Sequence, residues 1–196
     1  MSQAGAVQPR RYTRAEYALL ERDALDKHEY DNGRIVAMAG TSPEHALIAP
    51  TVSAAMVNGL QGKPCRVYSS DLRLWIEDKD KYVYPDVSVI CGRVERDPDD
   101  PTRMAVTNPT VVVEVLSPST EAYDRGEKML AYLTIPTLKE YVLVNQAAPR
   151  IESLRRQSDD TWVYTYAAGL ESSFVVQSVQ VTLPLGEIYR GIDFPT

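Results

Sequence analysis

Val111-Val112-Val113-Glu114-Val115-Leu116 is an apolar run interrupted by a single carboxylate, and it constrains the chain more than any other segment. Its length and β-branched content are those of a strand buried in a sheet. Asp124-x-x-Glu127 then has the form of a capping box, opening a helix expected to run to about residue 134, ahead of Pro136. Tyr141-Val142-Leu143-Val144 follows as a second strand. Strand, crossover helix and strand within about 35 residues make a βαβ unit, so the two apolar runs are expected to be parallel neighbours.

Glu114 is the anomaly in that unit. An ionised carboxylate inside such a strand is costly unless it is paired, protonated or bound to metal. Alternation puts Val112, Glu114 and Leu116 on one face and Val111, Val113 and Val115 on the other. A glutamate at a sheet edge, or one bridged to an arginine, would meet the same requirement.

The rest of the chain is punctuated clearly. Residues 1–11 read as a flexible N-terminal arm, and residues 12–196 as one domain. Thr13, with Glu16 three positions on, caps a helix reaching about residue 22 or 24. Residues 28–30 and 34–38 flank Asp31-Asn32-Gly33, a strong hairpin signal. Ser42-Pro43 starts a second helix that Pro50 is expected to kink or split. Residues 66–69, 72–77 and 82–91 read as strands, the last containing Tyr84-Pro85-Asp86, and residues 93–108 as a loop. Residues 150–155 and 161–166 read as an antiparallel ribbon on a sheet edge, with a last strand near 179–183. The expected architecture is α/β, with a mixed central sheet flanked by helices.

Composition removes whole classes of function. With 44% hydrophobic and 24% charged residues, a disordered chain, a collagen and a coiled coil are excluded. The longest uncharged stretch, 46–62, is shorter than a span of about 20 apolar residues and contains Pro50 and Asn58. Residues 1–10 lack the apolar segment of a secretory signal, which sets the cytoplasm as the expected compartment. Two cysteines, Cys65 and Cys91, are expected as reduced buried thiols. A net charge of −6 argues against coating nucleic acid by bulk electrostatics, though not against a local site. The glycine-rich, zinc-protease and nucleophile-elbow motifs are missing.

Taken singly, Glu29 beside a tight turn, Asp86 after a proline and Lys128 on a helix are all ordinary surface residues. In order along the chain, an acid on a hairpin, Pro85-Asp86, Glu114 mid-strand and a lysine on the crossover helix resemble the restriction-endonuclease-like PD-(D/E)XK superfamily. More narrowly, the chain resembles the Uma-two family of endonucleases. The resemblance rests on Glu16-Tyr17, the hairpin His28 to Gly33, Ser42 to His45, Pro85 to Val89, Val113 to Ser119, Lys128 with Tyr132, and Glu140-Tyr141. It departs at position 116, where the superfamily's Glu-x-Lys would need lysine and this chain has Leu116.

The resemblance implies a restriction endonuclease-like fold with added antiparallel hairpins, and a metal-dependent endonuclease hydrolysing phosphodiester bonds in DNA. It implies that the lysine has moved to Lys128. Glu29, Asp86 and Glu114 would form the acidic site, with Asp86, Glu114 and the Val115 carbonyl holding magnesium, or manganese as its substitute. His45 would lie nearby, touching phosphate or a carboxylate, although a histidine there with no function fits equally well. Arg10, Arg11, Arg14, Arg155 and Arg156 are candidates for a nucleic-acid surface. Cutting both strands needs two sites, so a homodimer is expected. A catalytically inactive binding module on the same fold is the competing reading.

Overall fold

A computed structural model describes residues 10–38 and 40–194. The expected arm therefore lies outside the described residues up to position 9. Its last two residues are tied down: Arg10 pairs with Glu16, and Arg11 donates to the Asn32 carbonyl.

The cap and turn signals hold among the described residues of the first third of the chain. Thr13 and Glu16 make a complete capping box that starts α1 (Arg14–Arg22). β1 (His28–Asp31) and β2 (Arg34–Ala37) are joined by Asn32-Gly33, whose φ values of 44° and 86° are what a two-residue primed turn requires. Ser42 accepts from the His45 amide and caps α2 (Pro43–Gly59). Pro50, expected to kink or split α2, sits inside one continuous helix. Ile48, Val52 and Met56 are buried in the core on both sides of it, and that packing outweighs the one lost backbone bond.

Residues 82–91 are two strands rather than one. β3 (Cys65–Ser69) and β4 (Leu74–Ile76) precede β5 (Lys81–Val83), which belongs to a four-stranded sheet of order β2-β1-β5-β4. β6 (Val87–Cys91) belongs to a second sheet, and the chain crosses between them at Tyr84-Pro85-Asp86, where proline donates nothing to a ladder.

β7 (Val111–Leu116) and β8 (Glu140–Asn145) are parallel neighbours, as the βαβ pattern requires. The crossover helix is broken into α3 (Glu121–Arg125) and α4 (Glu127–Tyr132). Asp124 is therefore not an N-cap: it lies within α3 and is buried. Gly126 permits the break, because a Cβ there would sit 2.8 Å from the Ala122 carbonyl oxygen. β9 (Arg150–Arg156) and β10 (Trp162–Ala168) form the expected antiparallel ribbon and complete a six-stranded mixed sheet, β10-β9-β8-β7-β6-β3. β11 (Ser173–Val176), which the sequence pattern does not reveal, pairs with β12 (Val181–Pro184) ahead of α5 (Leu185–Ile188).

The six-stranded sheet divides the core. Val113, Val115, Val142 and Val144 pack with α2, β11, β12 and α5 on one side. Val112, Leu116 and Leu143 pack with Leu74, Ala131 and Tyr132 on the other. Glu114 points to that second side, between two apolar neighbours of its own strand.

One further expectation is corrected. Cys65 and Cys91 are not reduced thiols: they are directly opposed on β3 and β6 and joined as a disulfide. A sequence separation of 26 gives no hint that the two would be cross-strand partners. In the loop after β6, Asp97 and Asp100 are buried and face inward. Asp97 takes Arg14 and the Tyr82 hydroxyl, and Asp100 takes Arg73 and three backbone amides. Among the described residues no helix is long and apolar enough to cross a membrane.

Candidate active site

Asp86 and Glu114 are 28 residues apart in sequence, and the ladder sets them side by side. Val87 pairs with Val113 in the antiparallel β6–β7 ladder, so one step further Asp86 stands opposite Glu114, and opposed residues share a face. The Asp86 amide lies 3.4 Å from Glu114 Oε2, and Asp86 Oδ2 accepts from the Val115 amide at 2.7 Å. Both carboxylates therefore converge where β7 ends and β6 begins. For Val115, expected to offer its carbonyl, the contact present is through its N–H.

Lys128 enters from α4. Its ammonium is buried and lies 2.9 Å from Glu114 Oε1, 3.3 Å from Glu29 Oε1 and 3.7 Å from Asp124 Oδ1. Glu29 comes from β1 in the other sheet, so the lysine bridges the two sheets at this point. The Tyr132 hydroxyl donates to Glu114 Oε1 at 2.8 Å, and the Tyr123 hydroxyl to Glu29 Oε2 at 3.3 Å. His45, in the first turn of α2, places Nε2 3.0 Å from Asp86 Oδ2. The structure thus brings together all of Glu29, His45, Asp86, Glu114, Val115 and Lys128.

Asp124, Tyr123 and Glu152 were missed by sequence reasoning. Asp124 was taken for a helix cap because its spacing to Glu127 mimics one. For Glu152 the signal is register: Glu114 pairs with Leu143, and Leu143 with Glu152, so Glu152 lies in the same row two strands away, while Tyr123 carries no signal in the sequence pattern. It is buried against Arg125 and Arg150.

The electrostatics follow from this crowding. Burial raises the Glu114 carboxyl, Asp86 and Asp124 reinforce the rise, and Lys128 opposes it; the net effect is a pKa pushed up to about 8. Asp124 is raised as well, chiefly by burial. Burial alone would lower Lys128, but Glu114, Glu29 and Asp124 outweigh it and hold the ammonium charged. Burial likewise lowers His45, and Asp86 more than offsets it, so the imidazole is raised. Burial pulls Glu152 upward, but the hydrogen bonds of Arg125, Tyr164 and Arg150 overcome it and bring the pKa to about 2.

Glu114 and His45 set the sign of a pH effect. Each has a folded pKa above its unfolded one, so each contributes stability that is complete below the unfolded value and lost as pH rises through the folded value. The metal-free protein is expected to lose stability between pH 5 and 9, and Glu114→Gln to flatten that slope. Urea denaturation at pH 5, 7 and 9 measures this; a flat wild-type profile removes the assignment.

The donor chemistry suits a hard divalent cation. Asp86 Oδ2 and Glu114 Oε1 are already occupied by hydrogen bonds, while Asp86 Oδ1 has no protein donor among the described residues and Glu114 Oε2 has only the long Asp86 contact. One free oxygen from each carboxylate is what magnesium uses when it keeps most of its waters. Among the described residues, no three His, Cys, Asp or Glu side chains are gathered as a ready metal cage. Lys128 and His45 stand between the acids instead. Asp86 also lines a groove of about 470 Å³ that runs along α2 past Ser53, Ser69 and Ser70 to the surface.

The arginines proposed for a nucleic-acid surface are mostly committed elsewhere. Arg14 is held by Asp97 and lies over the Trp75 ring, and Arg156 donates to the carbonyls of Leu133, Ile135 and Leu138.

Comparison with known proteins agrees with the geometry. Residues 14–185 match the model of the Uma2 family, described as "Putative restriction endonuclease". Two uncharacterized proteins of the cyanobacterium Synechocystis are similar. One is 38% identical over 180 residues, covering 91% of this chain and 92% of the relative; the other is 36% identical over 167 residues, covering 83% and 93%. A crystal structure titled as a putative nuclease belonging to DUF820, from Anabaena variabilis, superposes with a TM-score of 0.73 at 17% identity, covering 91% of this chain and 97% of that one. At that identity the likeness concerns the fold, which is restriction endonuclease-like.

Proposed function

Because the chain belongs to the Uma2 family of putative restriction endonucleases, we propose that it is a metal-dependent nuclease hydrolysing phosphodiester bonds in DNA, with its site at Asp86, Glu114, Glu29 and Lys128. The observation that carries this reading is the pairing of Asp86 and Glu114 at one end of the β6–β7 ladder, with the buried Lys128 ammonium 2.9 Å from Glu114.

Each group has a role that its surroundings support. Asp86 and Glu114 would hold magnesium, or manganese in its place, through their uncommitted oxygens, with Glu29 completing or sharing the site. When bound, the ion supplies charge neutralisation at the scissile phosphate and acidifies a water. Lys128 places a fixed positive charge beside the phosphate as negative charge develops on it, a role suited to a compact ammonium. His45 holds the Asp86 carboxylate in one orientation, and Tyr132 does the same for Glu114. Glu29, Asp86, Glu114 and Asp124 crowd around Lys128 and His45, a surplus of carboxyl groups that a bound cation would allow to ionise.

Millimolar magnesium or manganese is expected to raise the melting temperature, by mass action on the folded state. Wild-type protein with manganese is expected to nick or linearise plasmid. If neither cation shifts the melt and plasmid stays intact, the inactive binding module becomes the better reading. A dimer is expected for double-strand cutting, and a monomeric sedimentation profile at working concentration removes that part alone.

A further inference from the structure

One row of directly paired residues runs across the six-stranded sheet from the acid pair: Glu114 to Leu143, Leu143 to Glu152, and Glu152 to Tyr166. Paired residues share a face, so Tyr166, and Tyr164 two positions before it, stand on the same side of the sheet as Glu114. Strands spaced about 4.8 Å apart put Tyr166 roughly 14 Å from Glu114.

The surface at that distance is aromatic. Tyr164 and Tyr166 are 48% and 58% exposed, with ring centroids 6.1 Å apart. The Arg150 guanidinium lies 4.1 Å over the Tyr166 ring and donates to the Tyr164 hydroxyl. Between this patch and the acids lies a hollow of about 230 Å³, floored by Leu143 and walled by Met129, Arg125 and Tyr164. Arg125 and Arg150 flank Glu152 and Arg125 also pairs with Glu121, so the two guanidiniums are balanced by two carboxylates and the patch offers its rings rather than net charge. Exposed aromatics with a stacked arginine are the recurring means of holding unpaired bases, since every base offers a π-face.

We propose that the β9–β10 ribbon is a stacking platform that seats an unpaired base of the substrate strand a few nucleotides from the scissile phosphate, the base lying on Tyr166 and its phosphate beside Arg150. This rests on the nuclease reading and adds to it a preference for single-stranded or locally melted nucleic acid.

The test is fluorescence anisotropy of a labelled single-stranded oligodeoxynucleotide and of its duplex, made on the Asp86→Asn protein so that cleavage does not intervene. Tyr166→Ala is expected to weaken single-strand binding about 5- to 100-fold, the range for losing one stacked base, with Tyr166→Phe retaining most of it and the melting temperature unmoved. Tyr166 makes no side-chain hydrogen bond among the described residues, so the substitution leaves the fold intact. Equal affinity for Tyr166→Ala and its parent overturns the platform and leaves the nuclease proposal standing. A loss as large with phenylalanine, or a change of sedimentation from dimer to monomer with alanine, also overturns it, the latter in favour of a second copy of this chain as the occupant. Tyr166-dependent binding by a wild-type protein that cuts no substrate upholds the platform and removes the nuclease.

Discussion

Asp86→Asn is expected to reduce manganese-dependent cleavage by about a thousandfold or more while the protein melts as the wild type does. The change removes one negative charge from the pair that would hold the cation, and the several kcal/mol of charge stabilisation a metal provides convert to about that factor at 1.4 kcal/mol per decade. The fold is spared because the asparagine carbonyl can still accept the Val115 amide, the bond that ties Asp86 to the end of β7. Initial rates on supercoiled plasmid measure the effect. A variant retaining more than a tenth of wild-type activity would show that Asp86 is not a metal ligand.

Lys128→Met is expected to be the most destabilising single change in the site. Among the described residues the ammonium is the only cation paired with Glu29, Glu114 and Asp124, and removing one member of a buried charge cluster costs about 3–5 kcal/mol, because the remaining charges stay buried without compensation. Methionine fills most of the volume, so a cavity explains little of the loss. Two treatments should restore part of it: lowering the pH, which protonates the orphaned acids, and adding magnesium or manganese, which replaces the missing charge. Urea titrations at pH 5 and 8, with and without cation, read all three effects together. A loss that neither acid nor cation relieves would mean that packing, not charge, is what Lys128 provides.

The scaffold of this site is legible in the sequence because its parts are local. A capping box at Thr13, an Asn-Gly turn and the valine-rich run of β7 each fix their own conformation within a few residues, and each is found where the pattern places it. What fails is what depends on distant partners. Residues 82–91 read as one strand because nothing in their alternation tells which of two sheets each half will join. Asp124 has the spacing of a cap, yet Gly126 breaks the helix and turns it toward Lys128. Cys65 and Cys91 become partners only through the β3–β6 register. Glu29, Asp86 and Glu114 come together in the sequence only through the resemblance, which also carries Tyr132, while Tyr123, which orients Glu29, is invisible because tyrosine in a helix is ordinarily core.

Glu29 belongs to the smaller sheet, Glu114 to the larger, and the lysine that joins them arrives only after both, on a helix that must pack before any of the three can meet. A chain emerging from the ribosome therefore cannot assemble this cluster until α4 has been made and docked.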